Sequence, residues 1–231
     1  MVKLLLAEFK KFQNQFLLIN MMYNNLIHLL GLIIRIASLW NKKARQWKKG
    51  RKDLLKRIEQ TINKNERIIW VHCASLGEFE QGRPLIEEIK KNYPDNKILL
   101  TFFSPSGYEV RKDYQQADYI FYLPLDTNKN AKAFVNAIKP HMAIFIKYEY
   151  WRNYLKTLKE NDIPAFLVSS IFREDQVFFA WYGKFFRKLL GYFTLLCVQN
   201  ENSGTLLNRI GIKNVEVCGD TRFDRVVQIA A

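Results

Sequence analysis

The sequence has few cysteines and histidines, and neither set has the spacing of a disulfide framework or a metal site. The cysteines are odd in number, widely separated and without a CxxC pair: Cys73, Cys197 and Cys218. Such usage is typical of proteins from a reducing compartment. The histidines are equally isolated: His28, His72 and His141. We interpret them as ordinary structural residues and predict no bound metal.

Three common catalytic signatures are also missing. The sequence contains no GxxxxGK[ST] phosphate loop, no GxGxxG dinucleotide turn and no GxSxG nucleophile elbow. These absences weigh against the large ATPase, dehydrogenase and hydrolase classes.

A long, uninterrupted apolar run is absent as well. The apolar segment from Leu26 to Trp40 contains His28 and Arg35, and it is too short and too polar to predict a bilayer span. Residues 1–20 look weakly amphipathic and lack the small-residue cleavage site of a signal peptide. They are either a helical extension or sequence upstream of a true start at Met21 or Met22.

Positive charge is abundant and unevenly distributed. The net charge is +14, and the stretch from Lys42 to Arg57 has nine basic residues against Asp53, a net +8. Such a block favours an anionic surface, either nucleic acid or phospholipid. Because it follows an apolar segment, we interpret residues 21–60 as an interfacial anchor that meets anionic lipid headgroups. The alternative is a core-packing first helix with a solvated basic second helix. No recognisable nucleic-acid module accompanies the charge.

From residue 66 onward, short apolar strands alternate with helical patterns. The predicted strands are Ile68–His72, Ile98–Phe103, Tyr119–Tyr122, Met142–Ile146, Ala165–Ser169, Leu195–Gln199 and Val215–Cys218. The predicted helices are 82–92, 106–115, 128–138, 151–161, 179–190 and 201–210. This alternation predicts an α/β fold, a Rossmann-like parallel sheet with helices on both faces.

The turn after the first predicted strand is the most informative segment. Trp70–Pro84 contains the small-residue turn Ala74-Ser75-Leu76-Gly77, and Glu78 follows it. Strand-to-helix turns of open α/β sheets face the ligand-binding crevice. A carboxylate there is placed to accept a proton from a substrate hydroxyl. The alternative is that Glu78 is only a first-turn acid that favours the helix start.

Three further strand ends carry polar groups. Ser104-Pro105-Ser106-Gly107 offers hydroxyls and backbone amides to an anion, or is simply an N-cap with proline at the first helical position. Lys147–Trp151 either binds a sugar or caps the sheet. Gly219–Asp224 contains Arg222, which is either an anion contact or an ion-pair partner of Asp220 or Asp224.

Six segments, in this order, resemble the N-terminal half of 3-deoxy-D-manno-octulosonic acid (Kdo) transferases. They are HCASLGEFEQGRPLIE, LLTFFSPSGYEV, YLPLDT, IKYEYW, VQNENS and CGDTRFDRV. The resemblance runs from about Met21 to the end of the chain and does not cover residues 1–20. It implies a two-domain GT-B enzyme that transfers Kdo from CMP-Kdo to the lipid A precursor, with residues 66–231 as the N-terminal, acceptor-binding domain.

The resemblance also implies roles for individual residues. Glu78 matches the family's general base, which acts with inversion and without a metal or other cofactor. Arg222 matches a basic residue, often lysine, that stabilises the departing nucleotide. Lys147, the third catalytic candidate with Glu78 and Arg222, stands where several relatives carry the first glutamate of an E-x-E pattern, and Glu149 matches the second. The substrate-binding candidates are Ser75, Gly77, Ser104, Ser106 and Glu149.

The same resemblance implies where the protein acts and what else it needs. The family's second half, which holds most CMP-Kdo contacts, is expected just beyond residue 231, so we expect this chain alone to bind membrane or acceptor without transferring Kdo. The implied location is the cytoplasmic face of the inner membrane, with anionic lipids and the lipid A precursor as partners and no nucleic acid. Two alternatives remain: a non-catalytic α/β module that binds acidic lipid, and a GT-B glycosyltransferase with another donor.

Overall fold

The computed structural model describes residues 21–220, and their core is a seven-stranded parallel sheet in the order β3-β2-β1-β4-β5-β6-β7. The strands are β1 (Ile68–Cys73), β2 (Lys97–Phe102), β3 (Tyr119–Tyr122), β4 (Met142–Ile146), β5 (Ala165–Ser170), β6 (Leu195–Val198) and β7 (Val215–Val217). The helices are α1 (residues 21–37), α2 (Lys42–Gly50), α3 (Leu54–Thr61), α4 (Leu76–Asn92), α5 (Pro105–Arg111), α6 (Asn128–Ile138), α7 (Arg152–Glu160), α8 (Lys184–Leu190) and α9 (Glu201–Arg209).

The central strands are buried on both faces, which explains their continuous apolar sequences. On one face, Trp70 and Phe145 join a core with residues of α3, α6 and α7. On the other, Val71 and Ile144 pack with Phe79 of α4. The predicted Rossmann-like parallel sheet is therefore confirmed.

The strand order places a topological switch point between β1 and β4. From β1 the chain builds β2 and β3 on one side, and from β4 it builds β5 to β7 on the other. Because the two connections leave in opposite directions, a crevice opens at the carboxyl ends of β1 and β4, where such folds bind ligands. The segments beginning at Ala74 and Lys147 flank this crevice.

Several predicted boundaries are wrong. Helix α4 begins at Leu76, six residues before the predicted start at residue 82, because Ser75 caps it and its interior tolerates Gly77, Gly82 and Pro84. Helix α5 ends at Arg111 instead of residue 115. Helix α8 begins only at Lys184, because the predicted residues 179–183 form turns. The predicted strand ends differ from the observed ones by a single residue at most.

The segment before the sheet is anchored to it. Helix α1 packs its Tyr23, Ile27 and Gly31 side against the domain, and a Cβ on Gly31 would lie 2.7 Å from Leu125. In the basic segment, Ile58 of α3 is fully buried in the core of the sheet. No helix within residues 21–220 has the length and apolarity needed to cross a bilayer. The predicted extension, residues 1–20, lies outside the described part.

Candidate functional site at the switch point of the sheet

Glu78 lies at the start of α4, directly beyond the end of β1. Ser75 is the N-cap of α4, and Glu78 is the third residue of the helix, so that the two form a capping box. The Ser75 backbone N–H and hydroxyl donate to Glu78 Oε2 at 2.6 and 2.8 Å. Within residues 21–220 both of these hydrogen bonds engage Oε2, and none engages Oε1. The helix-start role of Glu78 and its position at the crevice are thus both observed.

Close packing of α4 on the sheet fixes the position of Glu78. A Cβ on Gly82, one turn after Glu78, would lie 2.9 Å from Ile146 Cγ1 and 3.2 Å from Cys73 Sγ. Glycine therefore lets the helix approach the ends of β1 and β4. Gly77 is exposed at the outer side of the same first turn.

The loop after β2 is joined directly to the Glu78 loop. The backbone N–H groups of Phe103 and Ser104 both donate to the Ala74 carbonyl, the second at 2.7 Å. Ser104 is the N-cap of α5, with Pro105 at its first turn, and its hydroxyl accepts from the Ser106 N–H and lies 3.0 Å from the Ser106 hydroxyl. The structure thus places both serines beside the Glu78 loop, in a capping arrangement.

Beyond β4, a buried polar cluster crosses the switch point. Glu149 is only 7% exposed, and its Oε2 lies 3.3 Å from Nε2 of the fully buried His72. The Trp151 indole N–H donates to Glu149 and lies 3.1 Å from His72 Nε2. On its other side, His72 Nδ1 lies 3.1 Å from the Thr101 carbonyl, which only accepts, so we assign the Nδ1 proton there. This cluster ties β1, β2 and the β4 loop together.

Lys147 begins the β4 loop with a strained backbone. Its φ is +69°, in the left-handed region, which costs a non-glycine residue about 1–3 kcal/mol. Its amino group lies over the Tyr148 ring, 5.7 Å from the centroid. This turn directs the chain across the crevice toward Glu149.

The carboxylates of Glu78 and Glu149 both influence the pKa of Cys73. Burial raises the pKa of the Cys73 thiol well above its ordinary value, and the negative charges of Glu78 and Glu149 raise it further. The thiol at the end of β1 is therefore held neutral and unreactive. Within residues 21–220, no group of three or more potential metal ligands occurs.

Asp126, in the YLPLDT segment, anchors both α7 and α1. Its fully buried carboxylate accepts from the Asn153 and Tyr154 backbone N–H groups at 3.1 and 3.0 Å and from the Tyr23 hydroxyl at 2.5 Å. Burial raises the pKa of Asp126 to about 7, although these hydrogen bonds oppose the shift.

Arg51 anchors the basic segment near the same edge. Its guanidinium lies 3.9 Å from the Trp47 ring centroid and donates to the Phe103 and Leu123 carbonyls. Burial lowers the pKa of Arg51 to about 9. The basic segment is thus attached to the loop that carries Ser104.

The predicted site residues fall into two groups. Those at the carboxyl edge of β1, β2 and β4 are Ser75, Gly77, Glu78, Ser104, Ser106, Lys147 and Glu149. Arg222 lies outside the described residues. Sequence reasoning missed His72 as a partner of Glu149. The one signal in the sequence was the position of His72 near the end of an apolar strand that leads to the site.

The family model for 3-deoxy-D-manno-octulosonic-acid transferase (kdotransferase) matches residues 37–225. The chain belongs to this family. The matched range includes all the predicted site residues, and its end includes Arg222.

Individual relatives agree with this assignment. The chain is 29% identical to the 3-deoxy-D-manno-octulosonic acid transferase of Aquifex aeolicus over 175 residues, 74% of this chain and 45% of that protein. It is 31% identical to the enzyme of the same name from Rickettsia felis over 161 residues, 68% of this chain and 34% of that protein. The chain thus spans less than half the length of these curated relatives.

Solved structures share the fold at low identity. A UDP-N-acetylglucosamine 2-epimerase matches with a TM-score of 0.54 and 15% identity, over 71% of this chain and 51% of that one. The UDP-GlcNAc 2-epimerase of Methanocaldococcus jannaschii matches with a TM-score of 0.51 and 16% identity, over 71% and 48%. These likenesses support the GT-B-like assignment of the fold alone.

Proposed function

We propose that this chain is the acceptor-binding half of a Kdo transferase, acting in lipopolysaccharide synthesis with CMP-Kdo as donor and the lipid A precursor as acceptor. The observation that carries the proposal is the placement of the Glu78 carboxylate at the switch-point crevice, within a chain of this family. Less than half of the relatives' length is present, so we assign the donor contacts to a second domain.

In this proposal Glu78 is the general base. The acceptor hydroxyl gives its proton to Glu78 Oε1, and its oxygen forms a bond to the anomeric carbon of Kdo. The bond from that carbon to the CMP phosphate breaks on the opposite face, so the configuration inverts, and CMP leaves with the electron pair. The Ser75 hydrogen bonds to Oε2 hold the carboxylate in place before the acceptor arrives.

The remaining site residues bind and orient the substrates. Ser75, Gly77, Ser104 and Ser106 contact the acceptor beside Glu78. Glu149, fixed by Trp151 and His72, shapes the opposite wall. Lys147 and Arg222 supply positive charge for the departing nucleotide, with Lys147 in place of a glutamate found in several relatives.

We also propose that the protein works at the cytoplasmic face of the inner membrane. Ten of the sixteen exposed large apolar side chains among residues 21–220 lie between Met21 and Trp40. The adjoining segment from Lys42 to Arg57 is strongly basic. An apolar helix face beside basic residues favours the surface of an anionic membrane.

Reconstitution tests the assignment to one half of an enzyme. The purified chain is mixed with the lipid A precursor and CMP-Kdo, alone or with the C-terminal half of the Aquifex aeolicus relative supplied in trans or by fusion. We expect acceptor binding by the chain alone and Kdo transfer only when both halves are present. Transfer by the chain alone, or no acceptor binding, would contradict the proposal.

A second candidate is a membrane-bound α/β module that recognises acidic lipid without catalysis. The exposed apolar face of α1 next to the basic segment favours it. Lipid binding that persists while the reconstituted pair transfers no Kdo would support this second function.

A further inference from the structure

A large cavity lies away from the switch point, between α1, the α2–α3 segment and the start of α6. Its volume is about 1380 Å³. Among residues 21–220, its walls carry eight cationic side chains and one carboxylate, that of Asp53. The cations are Arg35, Arg45, Lys48, Lys49, Arg51, Lys52, Lys56 and Lys129. We propose that this basic cavity binds the phosphate group of an anionic membrane lipid, one headgroup per protein.

Two of the eight cations are used by the fold, and six are not. Arg45 donates to the Ser38 and Leu39 carbonyls, and Arg51 donates to Phe103 and Leu123. For the other six, no hydrogen bond or ion pair to another of the described residues occurs. Like charges gathered around one concavity repel each other and raise the local concentration of anions. A phosphate group would relieve this repulsion and accept several charge-assisted hydrogen bonds.

The start of α6 adds a helix N-terminus to the same cavity. Thr127 is the N-cap of this eleven-residue helix and accepts from the Asn130 N–H. Thr127, Asn128 and Asn130 line the cavity. The partial positive charge of a helix N-terminus favours an anion there, so it adds to the attraction of the lysines.

Continuity with the apolar face of α1 identifies the occupant as a lipid. Leu39 is 69% exposed and belongs both to the exposed apolar set of residues 21–40 and to the cavity wall. A lipid whose acyl chains cover that apolar face could therefore place its headgroup in the cavity. Free phosphate or nucleic acid would leave the apolar face uncovered.

Arg51 connects the cavity wall to the loop that carries Ser104. Its guanidinium donates to the Phe103 carbonyl at 2.8 Å, and Phe103 immediately precedes Ser104. A headgroup bound here would hold the membrane surface close to the crevice where the acceptor binds. This inference rests on the membrane contact proposed above, but it does not depend on sugar transfer.

A pair of matched double variants separates a binding cavity from diffuse attraction. K48Q/K52Q removes two cations from the cavity wall, and K42Q/K43Q removes two from the same basic segment outside the wall. All four lysines are exposed, so both variants should fold, as circular dichroism can verify. Binding is measured to phosphatidylcholine vesicles containing phosphatidic acid, or containing oleic acid at the same surface potential.

We expect K48Q/K52Q to lose about tenfold more affinity for the phosphatidic acid vesicles than K42Q/K43Q does, because hydrogen bonds to phosphate disappear in addition to surface charge. On oleic acid vesicles, both variants should lose the same affinity. If the two variants lose the same affinity for phosphatidic acid vesicles as well, the headgroup-binding cavity is wrong, although the membrane contact is still supported. If wild type binds neither vesicle, the membrane contact itself is wrong. If K48Q/K52Q weakens only the binding of a single-stranded oligonucleotide, the cavity is a nucleic-acid site and the proposal is wrong.

Discussion

His72 and Glu149, 77 positions apart in the sequence, meet inside the protein with 3.3 Å between Nε2 and Oε2. His72 belongs to β1 and Glu149 to the loop after β4, so their contact joins the two sides of the switch point. A third residue, Trp151, donates to the same carboxylate. These three side chains form a polar floor beneath the candidate site, in which His72 and Glu149 are buried.

The first prediction concerns this floor. Replacing His72 with alanine removes the imidazole's hydrogen bonds with Thr101 and Trp151 and leaves a cavity in the core, which should lower the free energy of unfolding by about 3 kcal/mol or more. His141 is exposed, so H141A should change it by about 0.5 kcal/mol at most. Urea denaturation measures both. If the two substitutions lower the free energy of unfolding equally, the His72 cluster does not stabilise the fold.

A second prediction concerns the placement of α4. G82A puts a methyl group 2.9 Å from Ile146 Cγ1 and 3.2 Å from Cys73 Sγ, so it should destabilise the protein by about 1–3 kcal/mol. G204A in α9 is the matched control, because its methyl group would meet Val217 at an ordinary 3.6 Å. There the better helix propensity of alanine should stabilise by up to about 1 kcal/mol. Thermal unfolding measures whether each variant is more or less stable than wild type. If both variants change stability in the same direction, the packing argument is wrong.

The sheet could be predicted from the sequence because buried parallel strands are apolar runs that differ from the helices between them. The start of α4 could not, since Gly77 in its first turn disfavours a helix in isolation. Packing against β1 and β4 overrides that preference. The end of β1 was predicted within one residue, and Glu78 lies just beyond it in the structure.

Long-range partners were beyond sequence reasoning. The contacts of His72 with Glu149 and of Asp126 with Tyr23 join residues far apart in the chain, and no local pattern marks them. The basic segment shows the same limit. Its charge was evident, but only the fold shows that Ile58 enters the core while the lysines line a cavity.

A third prediction concerns pH. The pKa of Asp126 is about 7 in the folded protein against an ordinary 3.8. Between these values the folded state holds the extra proton, so this group makes the free energy of unfolding fall as the pH rises from 3.8 to about 7. The loss amounts to up to about 4 kcal/mol.

D126N removes the titrating group. Its one amide oxygen can accept from only one of the Asn153 and Tyr154 N–H groups, which bind different oxygens of Asp126, and this loss is the same at every pH. Wild type should therefore gain stability relative to D126N as the pH falls through this window. Urea denaturation at a series of pH values measures the difference. A constant difference between the two proteins across the window would refute the assignment to Asp126.

The fourth prediction tests membrane contact through α1. Leu29 and Ile33 are 50% and 54% exposed, so L29S/I33S should fold normally and lose most of its binding to anionic vesicles. The control V110S changes an equally exposed apolar residue, 56%, outside α1. Deletion of residues 1–57 is a poorer test, because it removes Leu54 from the core. Vesicle sedimentation that finds L29S/I33S and V110S equally bound would exclude α1 as the contact.

Turnover of the E78Q variant tests the central claim most directly. In the reconstituted pair of halves, glutamine keeps the size of Glu78 but cannot accept the acceptor proton, so kcat for Kdo transfer should fall by about 100-fold or more. Acceptor affinity should stay nearly unchanged. E80Q, two residues along α4 in a surface ion pair with Arg111, is the matched control and should keep its turnover. If E78Q transfers Kdo as fast as E80Q, Glu78 is not the base.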